Sequence, residues 1–162
     1  MRRLKSRSAG WALTGLCLTF GCGEVPRDPE GTLDRVRGNV LVVGATDSPP
    51  QITRSGQGAN GPEADLIREI AAQLNARVLW RWGPLEEHFA ALERFEIDLV
   101  AGGLTERTPW RHRVGLTRPW VERADGGGVL AAPPGENRFL VVLDSHIVAR
   151  RRRFEPRGTG GP

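Results

Sequence analysis

The sequence has no tyrosine, a single methionine and only two cysteines, at positions 17 and 22, ahead of any segment able to form a core. No thiol pair is left to staple the body of the chain, and two thiols without spaced His or further Cys fall short of a zinc shell. No apolar run approaches the roughly 20 residues that a membrane-spanning helix requires. A field of one sign is missing as well. Of the 23 Lys and Arg, Arg2, Arg3, Lys5 and Arg7 precede residue 22 with no acid among them, so a chain starting at Cys22 carries 19 basic against 19 acidic residues. A formally neutral body does not steer polyanions, so nucleic acid is not an expected partner. His88, His112 and His146 stand singly, and neither a metal nor a cofactor is expected.

The excess of charge at the front has a different meaning. The basic start is followed by an uncharged stretch from Ala9 to Phe20, twelve residues, then Gly21-Cys22-Gly23. That length is too short to span a bilayer and suits the apolar centre of a secretory signal, so residues 1–21 are expected to be a signal peptide. A small residue followed by Cys at this point resembles the lipobox of bacterial lipoproteins, although Thr19 and Phe20 depart from its usual residues. The resemblance implies lipidation on Cys22 and a membrane anchor in a periplasmic or extracytoplasmic location. The other reading is a plain signal peptide cut nearby.

The 162 residues allow one domain of ordinary size. Residues 22–38 are polar, with Pro26 and Pro29, and read as a tether ending in a short helical turn near Thr32 to Arg37. Val40 to Ala45 (VLVVGA) is a continuous β-branched run, as in strands covered on both faces. Asp47 to Gly61, with two prolines and three glycines, reads as loop or turn alone. Glu63 to Ala76 follows as a helix, with Ile67, Ile70, Ala71 and Leu74 on one stripe and acids near its positive end. Arg77 to Trp82 reads as a strand with Trp80 and Trp82 on one side, Leu85 to Phe95 as a helix and Ile97 to Ala101 as a third strand. Such a β-α-β-α-β series implies right-handed crossovers and a parallel sheet in the order second, first, third. Residues 128–132 then read as a strand, Glu136 to Phe154 as a helix and 156–162 as a disordered tail.

Four segments in register, NVLVVGATDSPP, GPEADLIREIAAQLNARV, LEEHFAALERFEIDLVAGGLT and VGLTRPW, resemble the family 3 extracellular solute-binding proteins of ABC importers. The resemblance implies an α/β fold, one lobe of the type II periplasmic-binding architecture over residues 39–155. It further implies a small polar solute, with an amino acid as the family's usual case, as ligand and an importer permease as partner. By itself, the glycine-rich turn after the third strand lets backbone approach a ligand and can present N–H groups to an anion. In the family the turn matching Gly103, Leu104 and Thr105 contacts the ligand, a following Arg clamps its carboxylate and an aromatic after the first strand covers it. The ligand-binding candidates are therefore Asp47, Gln51, Gly102, Gly103, Leu104, Thr105, Trp110 and Arg111. Gln51 stands where the aromatic is usual, and Trp110 stands where the Arg is usual. A one-residue shift gives Arg111 the clamp, against the alternative that Arg107 and Arg111 are merely solvated.

The family closes two lobes over its ligand, whereas here the chain runs from Trp120 straight into ADGGGVLAAPPGE, as if across an internal deletion near residues 121–128. The segment VGLTRPW corresponds to the family's crossing to the second lobe. The expected function is solute capture without enzymatic activity. Two alternatives stand beside it: a degenerate lobe without ligand, and a domain associated with an enzyme, as in lytic transglycosylase or dehydratase relatives. Gly56, Gly58 and Gly61 spell a dinucleotide fingerprint but lie too far beyond the strand, and Asp144, Ser145 and His146 are helix neighbours that point apart.

Overall fold

A computed structural model describes residues 27–154. The signal segment, Cys22, the start of the tether and the tail read over 156–162 lie outside the described residues.

In chain order the elements are α1 (Thr32–Val36), β1 (Val40–Ala45), β2 (Thr53–Ser55), β3 (Gly58–Asn60), α2 (Pro62–Gln73), β4 (Arg77–Trp82), α3 (Leu85–Glu93), β5 (Leu99–Ala101), a 3-10 turn (Pro109–His112), β6 (Gly115–Leu116), β7 (Ala131–Ala132) and α4 (Asn137–Phe154). The main sheet has the order β4-β1-β5-β7-β6. β1 is parallel to both β4 and β5, which gives the expected second-first-third core. β7 is antiparallel to β5 and to β6, so the sheet is mixed.

Two expectations are corrected. The stretch from Asp47 to Gly61 is not loop alone, since β2 and β3 form an antiparallel hairpin with Thr53 opposite Asn60 and Ser55 opposite Gly58. Strands of three residues flanked by glycines are too short to display a two-residue alternation. The segment VGLTRPW does not leave for another lobe. It contributes β6, and its Thr117 N–H donates to the Leu130 carbonyl at 3.0 Å.

The apolar stripes decide the layers. Leu33 and Val36 of α1, Ile67 and Ile70 of α2, and Phe139, Leu143 and Ile147 of α4 share one core with Leu41 and Val43 of β1. Phe89 and Leu92 of α3 pack with Ile97, Val100 and Leu104 in a second core. Trp80 and Trp82 stack at 6.4 Å between ring centroids and pack against the first core. Fully burying a side chain of this size contributes about 1.5–3 kcal/mol, so these stripes rather than the short ladders hold the layers together.

Two buried carboxylates hold α1 against the sheet and α4. Asp98, ahead of β5, accepts the Val42 N–H at 2.8 Å and an Arg35 guanidinium N–H at 2.5 Å. Glu136, ahead of α4, accepts the N–H groups of Glu30 at 2.9 Å and Thr32 at 2.8 Å. α1 is thereby fixed to the body of the lobe from two sides.

Candidate functional site

Ligands of parallel α/β sheets bind beyond the carboxyl ends of the strands. Here those ends are bound to one another: Thr46 N–H donates to the Ala101 carbonyl at 3.1 Å, Gly83 N–H to that of Ala45 at 3.2 Å, and the Thr46 hydroxyl to that of Gly83 at 2.7 Å. The edge consists of the loop from Thr46 to Gln51, the turn at Gly83 and the Gly102 to Thr105 turn.

Glu63 closes this edge from below. Its side chain leaves the first turn of α2 fully buried, and its carboxylate accepts the Gly103 N–H at 2.9 Å and the Gly102 N–H at 3.4 Å. The anion cradle that the glycine turn offers is thus filled by the protein's own carboxylate. Burial pushes the Glu63 carboxyl up to about 7, because the two N–H groups and the nearby Arg123 charge only partly offset the loss of water. Gly103 has φ 67°, and a Cβ there would fall 2.2 Å from the Ser48 hydroxyl oxygen. Only glycine allows the turn and the β1 loop to meet so closely.

The expected ligand residues have distinct settings. Asp47 is exposed and accepts the Arg54 N–H at 2.7 Å, which ties the loop to β2. Gln51 is half-buried, and its carbonyl accepts the Glu63 N–H at 3.0 Å. Gly102, Gly103 and Thr105 line the edge, whereas Leu104 packs inside the second core. Trp110 stacks on Phe89, with centroids 4.4 Å apart and planes 9° from parallel, so one ring face is spent on packing. Arg111 is exposed on the 3-10 turn and donates through Nε to the neighbouring His112 Nε2 at 3.0 Å.

Four groups at this edge were not foreseen: Ser48, Glu63, Arg123 and Asp125. Arg123 donates through Nη1 to the Gly103 carbonyl at 3.3 Å, and through Nε and Nη2 to the two Asp125 oxygens at 3.0 and 2.5 Å. Nearby, His88 is buried in α3 with Nε2 3.1 Å from the Ala45 carbonyl, an acceptor that places the proton on Nε2. Among the described residues no group of three or more His, Cys, Asp or Glu could hold a metal ion, and no helix is long and apolar enough to cross a membrane.

The layers, the mixed sheet and the glycine turn make an α/β fold similar to a single lobe of amino-acid-binding protein domains. Two solved structures carry that fold. The arginine-bound form of domain 1 of TmArgBP, from T. maritima, aligns with TM-score 0.61 and 21% identity over 68% of this chain and 92% of that one. An ancestral amino acid-binding protein, a precursor of cyclohexadienyl dehydratase, aligns with TM-score 0.65 and 15% identity over 75% of this chain and 93% of that one. No family profile matches the chain. Among curated proteins it is similar to the membrane-bound lytic murein transglycosylase F of Shewanella pealeana, 27% identical over 105 residues, which are 64% of this chain and 22% of that protein. The chain thus spans less than a quarter of the length of the curated relatives it matches.

The expectation of solute capture without enzymatic activity is overturned by these relatives, since each is named as a membrane-bound lytic murein transglycosylase, an enzyme. The alternative of an enzyme-associated domain fits these names better, although the similarity falls on the lobe, whose motifs speak of ligand binding.

Proposed function

We propose that the chain is an extracytoplasmic recognition lobe that binds a small amino-acid-like solute at the edge formed by Thr46 to Gln51 and Gly102 to Thr105. The observation that carries this reading is the likeness to an isolated lobe whose solved form is arginine-bound, with 92% of that lobe aligned. The chemistry of the edge agrees with it: hydroxyls of Ser48 and Thr105, backbone carbonyls and a guanidinium converge beside close-approach glycine backbone.

One lobe leaves a ligand half wet. Two or three hydrogen bonds, each net about 1 kcal/mol, plus one exposed ion pair barely offset the freedom lost on binding, so dissociation constants of roughly millimolar are expected. Calorimetry of the chain from residue 22 onward against the twenty amino acids tests this. Weak, saturable heat with a subset of amino acids is expected; heat with none of them at tens of millimolar contradicts it.

Export and acylation on Cys22 belong to the same proposal, supported by the basic start and the twelve-residue apolar stretch. Delivery to an importer permease is one use of such a lobe. The similarity to lytic murein transglycosylases favours a second use, as the ligand-sensing part of a murein-acting system. The two are separated by asking which the cell loses on deletion of the gene, solute uptake or normal murein turnover.

A further inference from the structure

The turn from Val121 to Gly128 occupies the place where a second lobe would depart, and it is tightly determined. Gly128 N–H donates to the Val121 carbonyl at 2.8 Å and Trp120 N–H to the Gly128 carbonyl at 2.9 Å, so the ends of the turn pair with each other. Gly126 N–H donates to the Arg123 carbonyl at 3.1 Å, and Glu106 N–H donates to the Gly127 carbonyl at 3.0 Å, which anchors the turn to the crevice edge. Each of its three glycines is needed. Gly126 has φ 122°, a Cβ on Gly127 would fall 2.6 Å from Pro119, and a Cβ on Gly128 would fall 2.7 Å from Val121. A join left at random by a lost lobe would not require three glycines in a row for closure.

This turn delivers Arg123 to the crevice. The side chain is 20% exposed, and three of its five N–H groups are spent on the Gly103 carbonyl and on Asp125, which leaves one on Nη1 and one on Nη2. Asp125 fixes the guanidinium plane as a carboxylate at a bidentate contact does. Arg111, by contrast, is exposed on a separate turn and engaged with His112.

We propose that Arg123 is the anchor for the ligand's carboxylate, held in position by Asp125, and that the Val121 to Gly128 turn is the lobe's own substitute for the missing opposite wall. The inference rests on the solute-binding reading and names the residue that would carry it. The class of ligand is a small molecule with a free carboxylate, and the guanidinium recognises it through the two N–H groups still uncommitted.

The test uses amide NMR titration of the chain from residue 22 onward with L-arginine and L-glutamine, and with the C-terminal amides of both, which lack the carboxylate. Free amino acids are expected to shift the amides of Gly103 and of residues 121–128, and the amides to bind at least about tenfold more weakly, the loss of a charge-assisted contact. Arg123→Ala should weaken binding about tenfold and abolish the discrimination between acid and amide. Arg123→Lys keeps the charge without the fork and should lie between, and it serves if the alanine variant fails to fold. Arg111→Ala should change affinity less than about twofold by the same logic of exposed charges. Full binding and discrimination by both Arg123 variants, or their loss in Arg111→Ala, overturns the assignment while leaving the solute-binding reading intact. Absence of binding by the unaltered chain overturns both.

Discussion

At the start of α1, Glu136 accepts two backbone N–H groups, at 2.9 and 2.8 Å; at the carboxyl edge of the parallel strands Glu63 accepts two as well, at 2.9 and 3.4 Å. Both side chains are buried, yet their acidities move in opposite directions. At Glu136 burial acts upward, but the hydrogen bonds from Glu30 and Thr32 and from neighbouring side chains outweigh it and hold the carboxyl below the usual range. The adjacent Asp28 is raised instead, by burial first and then by the neighbouring Glu136 carboxyl. At Glu63 burial outweighs the two N–H bonds, one of which is long, and the nearest guanidinium is committed to Asp125, so the carboxyl rises to about 7. One glutamate is a staple with its partners complete. The other is a poorly compensated charge set beneath the candidate ligand turn, where buried polar groups without full partners most often mark function.

The comparison breaks most visibly when Glu136 is removed. Glu136→Ala leaves the buried Thr32 N–H and the part-buried Glu30 N–H without their acceptor, and a loss of roughly 2–4 kcal/mol in unfolding free energy is expected from urea denaturation. A loss under about 1 kcal/mol would mean that water replaces the carboxylate at no cost and that the staple is ornamental.

The pH dependence sharpens the contrast. A folded carboxyl raised above its ordinary 4.5 to about 7 binds more protons in the folded than in the unfolded chain between those values. Its contribution is therefore full at low pH and is lost as pH rises through 7, by roughly 3 kcal/mol in all. Glu136 has the reverse sign: its stabilisation is present above the ordinary glutamate range and is lost as pH falls through its depressed value. Stability is thus expected to peak near pH 5 and to decline toward pH 8. Glu63→Gln should flatten the slope between pH 5 and 7 and raise stability at pH 8 by about 1 kcal/mol, since a neutral acceptor keeps the Gly103 bond without the buried charge. An unchanged slope in that variant would assign the titration to another group. The smallest effect is expected at Asp47→Ala, where an exposed loop bond at 2.7 Å is lost and the change should stay within about 1 kcal/mol.

The parts of the chain legible beforehand are those whose burial is periodic. Val40 to Ala45, the stripe through Ile67 and Ile70, and Phe139, Leu143 and Ile147 each carry their period in the sequence, and the core order of the sheet follows from them. The hairpin of β2 and β3 and the two-residue strands β6 and β7 do not, because their pairing is decided by distant backbone rather than by local pattern. The site was half legible. The glycine turn announced itself, but its acceptor did not, although a signal existed: Glu63 lies on the same helical stripe as Ile67, Ile70 and Leu74, and an acid on an apolar stripe must find buried donors. Arg123 and Asp125 were hidden for another reason. The segment around them read as the join of an internal deletion, and it carries no periodic pattern that would direct a side chain to the crevice edge.

The central claim is that the edge between Ser48 and the Gly102 to Thr105 turn receives a small amino-acid-like ligand. Amide NMR of the chain from residue 22 onward, titrated with each of the twenty amino acids to about 20 mM, tests it directly at the roughly millimolar affinity expected of a half-open site. The account predicts saturable shifts concentrated at Ser48, Gly102, Gly103 and Thr105 for a subset of amino acids. Shifts absent for all twenty, or confined to residues remote from that edge, would contradict it.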